Sequence, residues 1–292
     1  MSKVRLNEID YFVFDLDGTL LTSKHEVSPS SLKEIEYLKN NNKKIFLASG
    51  RAYYMFLNLI KKLEIKTEVV SCNGAITYDP NKKEVIDYCA ISKDSAKQIF
   101  KILVDHKATF VAYSTNQMFS YQYNKESKWI NWLKETNDKL SADEKFIVEP
   151  ILEPNNFDFD QYPIIKFLVI YNEIDKNQTD KILETLKEID GVYLVRSQEG
   201  IFDVMPNGFN KGSALKMLEN KKMLNLNKTI VFGDADNDIS MFEQAKYSVA
   251  MKQAKDEVKN RAIFVTDSND NDGIAKFLEF LKAMKKQSRN IE

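Results

Sequence analysis

An apolar run that ends on two aspartates constrains this chain more than any other stretch of its sequence. Tyr11 to Phe14 has the length and the β-forming residues of a buried strand and is too short for a helix. Asp15 and Asp17 follow at once, and Gly18 turns the chain. Two carboxylates this close together are costly unless a positive group lies between them. An isolated pair of this kind is usually a solvated turn, so its meaning depends on the other strands.

The first eighty residues alternate buried strands with helices. Lys44 to Ala48 is predicted to be a second strand, which enters Ser49-Gly50-Arg51, and a third strand at Val69-Val70 enters Ser71 to Ala75. Helices are predicted between these strands, after Ser28-Pro29 and from Tyr53 to Leu63. This order indicates a parallel sheet with right-handed crossovers, in which ligands bind at the carboxyl ends of the strands.

The pattern changes in the middle of the chain and then returns. After Asp79-Pro80, aromatic β-rich segments with helices beside them indicate an α+β domain. From Asn210 the α/β alternation resumes, and the strand Thr229 to Phe232 enters Gly233 to Asp238. We therefore predict an α/β fold, a three-layer Rossmann-like core with a parallel sheet and an inserted α+β cap domain. The expected boundaries are 1–82 and 204–292 for the core and 83–203 for the cap.

Composition narrows the classes of partner and the compartment. Of the 292 residues, 43% are hydrophobic and 29% are charged, as in ordinary soluble domains, and the net charge of −1 gives no reason to expect nucleic acid or a membrane as partner. No apolar run reaches transmembrane length, and the N-terminus lacks the apolar core of a signal peptide. Cys72 and Cys89 are the only cysteines, which favours a reducing compartment. We expect a cytoplasmic protein.

Several polar groups are predicted to meet at one edge of the core sheet. They are Asp15 with Asp17, Ser49-Gly50, Lys211, and Asp234 with Asn237-Asp238. Clustered carboxylates repel one another unless a hard cation neutralises them, and Mg²⁺ prefers a few carboxylates together with water and phosphate oxygens. A serine hydroxyl, backbone N–H groups and a lysine suit the remaining phosphate oxygens. One aspartate can attack phosphorus while a second carboxyl group transfers protons.

These motifs resemble those of the haloacid dehalogenase superfamily, and within it the Cof-like (type IIB) phosphatases. The resemblance rests on five segments that span the core in the order of the family: Asp15-Leu16-Asp17-Gly18-Thr19-Leu20, Ala48-Ser49-Gly50-Arg51, Ser71-Cys72-Asn73-Gly74-Ala75, Lys211-Gly212-Ser213-Ala214-Leu215 and Gly233-Asp234-Ala235-Asp236-Asn237-Asp238. Each segment alone is a weak signal, but the ordered set is specific. The inserted segment matches the cap of the family in position and approximate size only.

The resemblance implies a catalytic role for three residues. Asp15 would be the nucleophile and a Mg²⁺ ligand. Asp17 would be the general acid and base and would offer its backbone carbonyl to Mg²⁺. Lys211 would bridge the phosphoryl group and Asp15.

It also implies a set of binding contacts. Asp234 would be the remaining side-chain ligand of the metal, and Asp238 would orient Lys211 or metal-bound water. The phosphoryl group would be held by Leu16, Ser49, Gly50 and Asn237. Arg51 is left open between a substrate contact and an ion pair with an acidic neighbour, and Asn73 is expected to shape the turn beside the site.

This chain departs from the family pattern at two places. Lys252-Gln253 stands where relatives often have Gly-Asn, and Asn271-Asp272-Gly273 stands where they usually have Glu-Asp-Gly. The first change puts contacts of that turn in doubt, and a lysine there would favour a more anionic substrate.

The sequence thus predicts a Mg²⁺-dependent phosphatase of small phosphorylated metabolites, with sugar phosphates as the leading class. It would form an aspartyl-phosphate intermediate. Asp17 argues against the phosphate-transferring ATPases and the dehalogenases of the superfamily. A phosphomutase is the nearest alternative, because it too uses the second aspartate. A binding or regulatory protein without activity is the other alternative, and the intact set of Asp15, Asp17, Lys211 and Asp234 argues against it.

Overall fold

A computed structural model of the chain describes residues 4–123, 126–142, 144–173, 175–198 and 200–289. Two compact units make up the chain. The first comprises Met1–Gly50, Leu59–Glu84 and Asn210–Glu292, and the second comprises Arg51–Asn58 and Val85–Phe209. Within the described ranges, no helix has both the length and the apolar character that crossing a membrane requires.

The secondary structure follows the chain in this order. The strands are β1 (Tyr11–Phe14), β2 (Lys44–Ala48), β3 (Val69–Ser71), β4 (Ile76–Asp79), β5 (Glu84–Tyr88), β6 (Phe110–Tyr113), β7 (Met118–Tyr121), β8 (Val148–Pro150), β9 (Lys166–Ile170), β10 (Val192–Gln198), β11 (Ile201–Pro206), β12 (Thr229–Gly233), β13 (Tyr247–Ala250) and β14 (Phe264–Val265). The α-helices are α1 (Pro29–Asn40), α2 (Leu57–Lys62), α3 (Lys93–Asp105), α4 (Lys128–Asp138), α5 (Lys176–Lys187), α6 (Lys211–Asn220), α7 (Ile239–Gln244), α8 (Asp256–Lys259) and α9 (Gly273–Arg289). Short 3-10 helices lie at Leu6–Glu8, Tyr53–Phe56, Cys72–Gly74, Pro154–Asn156, Tyr171–Glu173, Leu226–Lys228, Asp236–Asp238 and Asn269–Asn271.

The sheet of the first unit has its topological switch at β1. Its strand order is β14-β13-β12-β1-β2-β3-β4, and every neighbouring pair is parallel except β3 with β4. The chain thus extends the sheet from β1 first to one side, through β2 and β3, and later to the other, through β12 and β13. In such a sheet the crevice outside the carboxyl ends at the switch is the place where ligands bind.

Helices cover both faces of this sheet. On one face Val13, Phe46 and Val231 pack with α6 and α7 in one buried cluster. On the other, the rings of Phe14 and Phe232 stack at 4.9 Å, and Phe277 of α9 meets Phe232 at 5.7 Å. Since strands covered on both faces must be apolar throughout, the short apolar runs of the sequence become central strands. The predicted α/β core with a parallel sheet is confirmed.

The second unit is built around a six-stranded sheet of order β10-β11-β9-β6-β7-β8. Its neighbours are antiparallel except β7 with β8, which are parallel. Phe110, Phe167 and Val204 point to the face that α3 and α5 cover, and they form one buried cluster with Ile99 and Ile182. Strands β10 and β11 pair antiparallel, and Glu199 between them lies outside the described residues.

The second unit differs from the expected cap of 83–203 at both boundaries and in one additional segment. It runs from 85 to 209 and also takes in residues 51–58. Segment 51–58 joins this unit through Tyr54, whose buried hydroxyl donates to the backbone oxygen of Gln117 at 3.0 Å. The ring of Tyr54 also lies 6.4 Å from that of Phe146. An apolar helix with an aromatic stripe does not reveal from sequence which of two sheets it will join.

Candidate active site

The register of the central strands brings the predicted polar groups to one edge of the sheet. Phe14 pairs with Phe232 on one side and with Leu47 on the other, so β1, β2 and β12 end at the same level. Asp15 comes next after β1, and its backbone N–H donates to the oxygen of Phe232 at 3.0 Å. The segments that follow β2 and β12 therefore begin beside Asp15, which is the juxtaposition that the sequence predicts.

Lys211 joins two of the aspartates. It is the first residue of α6, and its Nζ donates to Oδ1 of Asp15 and to Oδ1 of Asp238, at 2.6 Å each. The lysine and Asp238 are fully buried, and Asp15 is 5% exposed. Asn210 caps the helix by accepting from the N–H of Ser213 at 2.8 Å, which fixes where α6 starts. The cap thereby fixes the place from which the lysine side chain extends.

The remaining oxygen of Asp238 is also occupied. Oδ2 accepts from the backbone N–H groups of Asp234 and Ala235, at 2.9 and 3.0 Å. Helices α6 and α7 approach each other closely at Gly212, where a Cβ atom would come within 2.1 Å of the backbone oxygen of Ser240. Glycine at this position therefore lets Lys211 reach Asp238. With every oxygen engaged, Asp238 holds the lysine and the loop after β12 in place.

Asp234 is held by the loop that follows β1. Thr19 donates from its hydroxyl to Oδ1 of Asp234 at 2.9 Å. Between Thr19 and Asp17 lies Gly18, whose φ is +76° and where a Cβ atom would come within 2.3 Å of Oδ2 of Asp234. Any other residue at 18 would be strained and would displace this carboxylate. The Gly-Thr pair therefore packs the first loop directly against Asp234.

The cluster carries an excess of negative charge in a buried place. Carboxylate oxygens of Asp15, Asp234 and Asp238 lie within 4.8 Å of one another, with one lysine between them. Burial, with the Asp238 carboxylate beside it, raises the pKa of Asp234 to about 7. Burial likewise raises the pKa of Asp15, and Lys211 opposes that shift. For Lys211 burial alone would lower the pKa, but Asp15 and Asp238 outweigh it and raise the pKa, so the lysine keeps its proton.

A divalent cation fits this cluster. Three carboxylates and one ammonium leave two negative charges unbalanced, which is the charge that such a cation supplies. Asp238 is fully used by Lys211 and two N–H groups, so the oxygens available to a metal are those of Asp15 and Asp234. The carboxylate ligands expected from the sequence, Asp15 and Asp234, are thus the two that the hydrogen bonds leave available.

Groups suited to phosphate lie at the ends of β2 and β3. Ser49 is buried, and its backbone oxygen accepts from the N–H of Asn73 at 3.0 Å. Asn73 has a left-handed φ of 55° and accepts from Nδ2 of Asn237 at 2.9 Å. Among the described residues, nothing bonds the buried Oδ1 of Asn237. Ser49, Gly50, Asn73 and Asn237 are thus brought together, with Asn73 shaping the turn.

Asp17 is separate from the buried cluster. Its side chain is 45% exposed, and its Oδ1 lies 3.6 Å from Nδ1 of His25, which is 56% exposed. Leu16 between the two aspartates is fully buried, and its oxygen accepts from the N–H of Leu21 at 2.8 Å. Residues i and i+2 of a regular strand would share one face, but β1 ends at Phe14 and the chain turns after Asp15, so Asp15 contacts Lys211 while Asp17 is half-exposed. The two carboxylates therefore have different surroundings.

Three further residues were singled out from the sequence, namely Arg51, Lys252 and Gln253. Arg51 opens the segment 51–58, which belongs to the second unit. Of the unusual pair, Lys252 is 71% exposed and lies 3.7 Å from Asp267, while Gln253 donates from Nε2 to the oxygen of Gly18. Gln253 therefore braces the loop of Asp15 from the end of β13, in the turn where the family pattern is lost.

Three contributors were missed in the sequence. Thr19 donates to Asp234, Gln253 donates to the backbone oxygen of Gly18, and Asn210 caps α6. Thr19 had a signal, since it stands in the quoted Asp-Leu-Asp-Gly-Thr run. Asn210 had one too, as an N-cap residue three positions before a serine. Gln253 was noted only as a departure from the family pattern, and its contact with Gly18 had no signal, because the two residues lie 235 positions apart.

Similarity to known proteins extends over nearly the whole chain. The family model described as haloacid dehalogenase-like hydrolase matches residues 12–278. A Mycoplasma pneumoniae protein named "Putative phosphatase" is 32% identical over 281 residues, which cover 94% of this chain and 98% of that protein. The 5-amino-6-(5-phospho-D-ribitylamino)uracil phosphatase of Bacillus subtilis is 27% identical over 91% of this chain and 96% of its own.

A solved structure agrees with the same assignment. The crystal structure of TM0651 from Thermotoga maritima is 30% identical and superimposes with a TM-score of 0.76, covering 93% of this chain and 97% of that one. The chain belongs to the haloacid dehalogenase-like hydrolase family and is a Cof-like phosphatase of that family, as the motifs in its sequence predict.

Proposed function

We propose that the protein is a Mg²⁺-dependent phosphatase that hydrolyses small phosphorylated metabolites through an aspartyl-phosphate (acyl phosphate) intermediate on Asp15. The observation that carries the proposal is the buried arrangement in which Lys211 contacts both Asp15 and Asp238, with Asp234 beside them. Lys211 donates to Oδ1 of Asp15 and does not contact Oδ2, so Oδ2 can attack phosphorus. The positive charge of the lysine stabilises phosphoryl oxygens that approach the same carboxylate.

The reaction has two steps that use the aspartates differently. In the first, a carboxylate oxygen of Asp15 forms a bond to phosphorus while the bond from phosphorus to the leaving oxygen breaks, and Asp17 gives that oxygen a proton. In the second, Asp17 takes a proton from water, whose oxygen bonds to phosphorus as the bond to Asp15 breaks. Inorganic phosphate leaves, and both aspartates return to their starting states. The half-exposed position of Asp17 suits a group that exchanges protons with substrate and water.

The metal site would be formed by side chains of Asp15 and Asp234 and by the backbone carbonyl of Asp17. Mg²⁺ bound there would supply positive charge to the phosphoryl oxygens and offset the excess charge of the carboxylates. Thr19 would orient Asp234 for this task, because it already holds one of the two carboxylate oxygens. Asp238 would keep Lys211 in position.

The phosphoryl group would be held by groups at the ends of the central strands. These are the Ser49 hydroxyl, the backbone N–H groups of Gly50 and Leu16, and the side chain of Asn237. Asn73 would support Asn237 through their amide hydrogen bond.

For the substrate we propose a phosphate monoester of a sugar or sugar alcohol, a small soluble molecule of the cytoplasm. The name of the Bacillus subtilis relative describes a substrate with a phosphate on a ribityl chain, which is of this class. In the described part of the chain Cys72 and Cys89 form no disulfide, in keeping with a reducing compartment.

A panel of phosphorylated metabolites tests the proposal. Purified protein should release phosphate from a subset of sugar phosphates with Mg²⁺ present and should stop when a chelator is added. Asp15→Asn protein serves as the matched control for contaminating phosphatases. Conversion of one phosphate isomer to another without free phosphate would favour a mutase instead. Equal release with Mg²⁺ and with chelator would contradict the proposed metal dependence.

A further inference from the structure

A cleft lined with lysines lies in the first unit, at the opposite end of the strands from Asp15. It has a volume of about 590 Å³ and is lined by residues 39, 43–46, 64–68 and 222–223. Lys44 begins β2, and Thr67 and Glu68 precede β3, so the cleft opens at the amino ends of parallel strands. Asp15 follows the carboxyl end of β1, and the cleft is therefore separate from the active site.

Apolar residues form part of the lining of the cleft, and hydrogen bonds hold the lining in place. Ile45 and Ile65 are both at most 5% exposed, and Met223 lies beside them at partial exposure. The hydroxyl of Thr67 donates to the backbone oxygen of Ile45, which ties the segment before β3 to β2. Met223 donates its N–H to the oxygen of Leu218 at 2.9 Å, in the turn that ends α6. These contacts give the cleft a formed shape rather than a loose surface.

Its charge is opposite to that of the chain as a whole. Five lysines, 39, 43, 44, 66 and 222, line the cleft against the two glutamates 64 and 68, so positive charge is in excess by three. The chain as a whole carries a net charge of −1. Positive charge concentrated in a concave place attracts anions more than the same charge spread over a surface.

Part of this charge is not neutralised by the protein. Lys39 contacts Glu64, and Lys43 contacts Asp10 at 3.1 Å. The pKa of Glu64 is lowered by its hydrogen bond from Lys39 and further by the nearby Lys66. In the part of the chain that the structure describes, Lys66 and Lys222 form no ion pair. Both are exposed, and they come from different sides of the cleft, before β3 and after α6.

We propose that this cleft binds a small organic polyphosphate, of the size and chemistry of a nucleoside diphosphate. Lys66 and Lys222 would contact the phosphates, and Ile65 and Met223 would pack against the apolar part of the ligand. The volume suits this class, since clefts of about 300–1,000 Å³ hold ligands of drug size. Inorganic phosphate alone would leave most of the cleft unfilled. The proposal is independent of the reaction proposed for Asp15.

Calorimetric titration with α,β-methylene-ADP tests the proposal, because its bridging carbon prevents loss of the terminal phosphate. The titration is done with EDTA present, so that binding at the carboxylate cluster through a metal is removed. The full-length protein should bind one equivalent saturably. The variant Lys66→Glu with Lys222→Glu should bind at least about tenfold more weakly, since two charge-assisted contacts are replaced by repulsion.

The matched control carries the same change of net charge elsewhere on the same unit. Lys33 and Lys246 are exposed and lie outside the cleft. Lys33→Glu with Lys246→Glu should leave the affinity within about twofold, because their distance from the ligand allows screening. Phosphatase activity should be equal in both double variants. Absence of saturable binding, or equal weakening by the control, would overturn the proposal, as would equal affinity for methylenediphosphonate, which lacks the organic part.

Discussion

Replacing Lys211 by methionine should destabilise the protein and abolish its activity together. Methionine nearly matches the lysine side chain in volume but leaves Asp15 and Asp238 buried without their shared ammonium. Removing one partner of a buried ion pair typically costs about 3–5 kcal/mol, because the other partner stays charged and desolvated. Here two carboxylates lose the same partner, at 2.6 Å each, so we expect a loss at the upper end of that range.

The measurement is urea unfolding of wild type and variant in the presence of EDTA, followed by circular dichroism. Lys216→Met is the matched control, because Lys216 lies on the same helix, is 54% exposed and pairs with Glu219 at 2.6 Å. An exposed pair contributes only about 0–1 kcal/mol, so this variant should unfold almost as wild type does. Saturating Mg²⁺ should restore part of the stability of Lys211→Met, since it offsets the same carboxylates.

Equal unfolding free energies for the two methionine variants would contradict the expected contribution of Lys211 to stability. They would mean that Asp15 or Asp238 is held neutral at no cost, and that Lys211 does not balance the cluster. Loss of activity without loss of stability would likewise leave Lys211 a catalytic contact only.

Three further substitutions test individual parts of the site. Asp15→Asn should abolish turnover of a generic aryl phosphate with Mg²⁺ present, and near-normal turnover would exclude Asp15 as the nucleophile. Asp234→Ala should raise the Mg²⁺ concentration for half-maximal activity by at least about tenfold, as expected when one of few carboxylate ligands is lost; an unchanged requirement would remove Asp234 from the metal site. Thr19→Val should lower stability by about 1–2 kcal/mol through its lost bond to a carboxylate, with a several-fold higher Mg²⁺ requirement, and a change in neither would show that Asp234 needs no such support.

Much of the core followed from local patterns. The runs that became β1, β2 and β12 are apolar over their central residues, as strands buried on both faces must be, and each leads into small or polar residues. Because parallel strands share one direction, their carboxyl ends had to meet. That is enough to predict Asp15 and Asp234 as neighbours without knowing any distance. Lys211 opens α6 and follows no strand of this sheet, so its place beside them does not follow from that rule.

Other features depend on contacts between distant residues. Segment 51–58 joins the second unit through Tyr54, whose partner Gln117 lies 63 positions further on. The exposed edge strand β8 contains a proline and gives no β signal. Occupation of both Asp238 oxygens by Lys211 and two N–H groups appears only in the folded chain. The separation of Asp17 from Asp15 depends on the turn that follows β1, because residues i and i+2 of a strand would share a face. The nearness of His25 to Asp17 depends on a turn with a left-handed residue.

Trapping the phosphoryl group on the protein tests directly whether Asp15 is the nucleophile. Asp17→Asn protein, which lacks the base for the second step, is mixed with a generic aryl phosphate and Mg²⁺, quenched in acid and digested for peptide mass mapping. We expect a phosphoryl group on Asp15 in the peptide that contains this residue. We expect none in the double variant that carries Asp15→Asn as well. A phosphoryl group on another residue, or steady turnover without any labelled peptide, would contradict the assignment of Asp15 as the nucleophile.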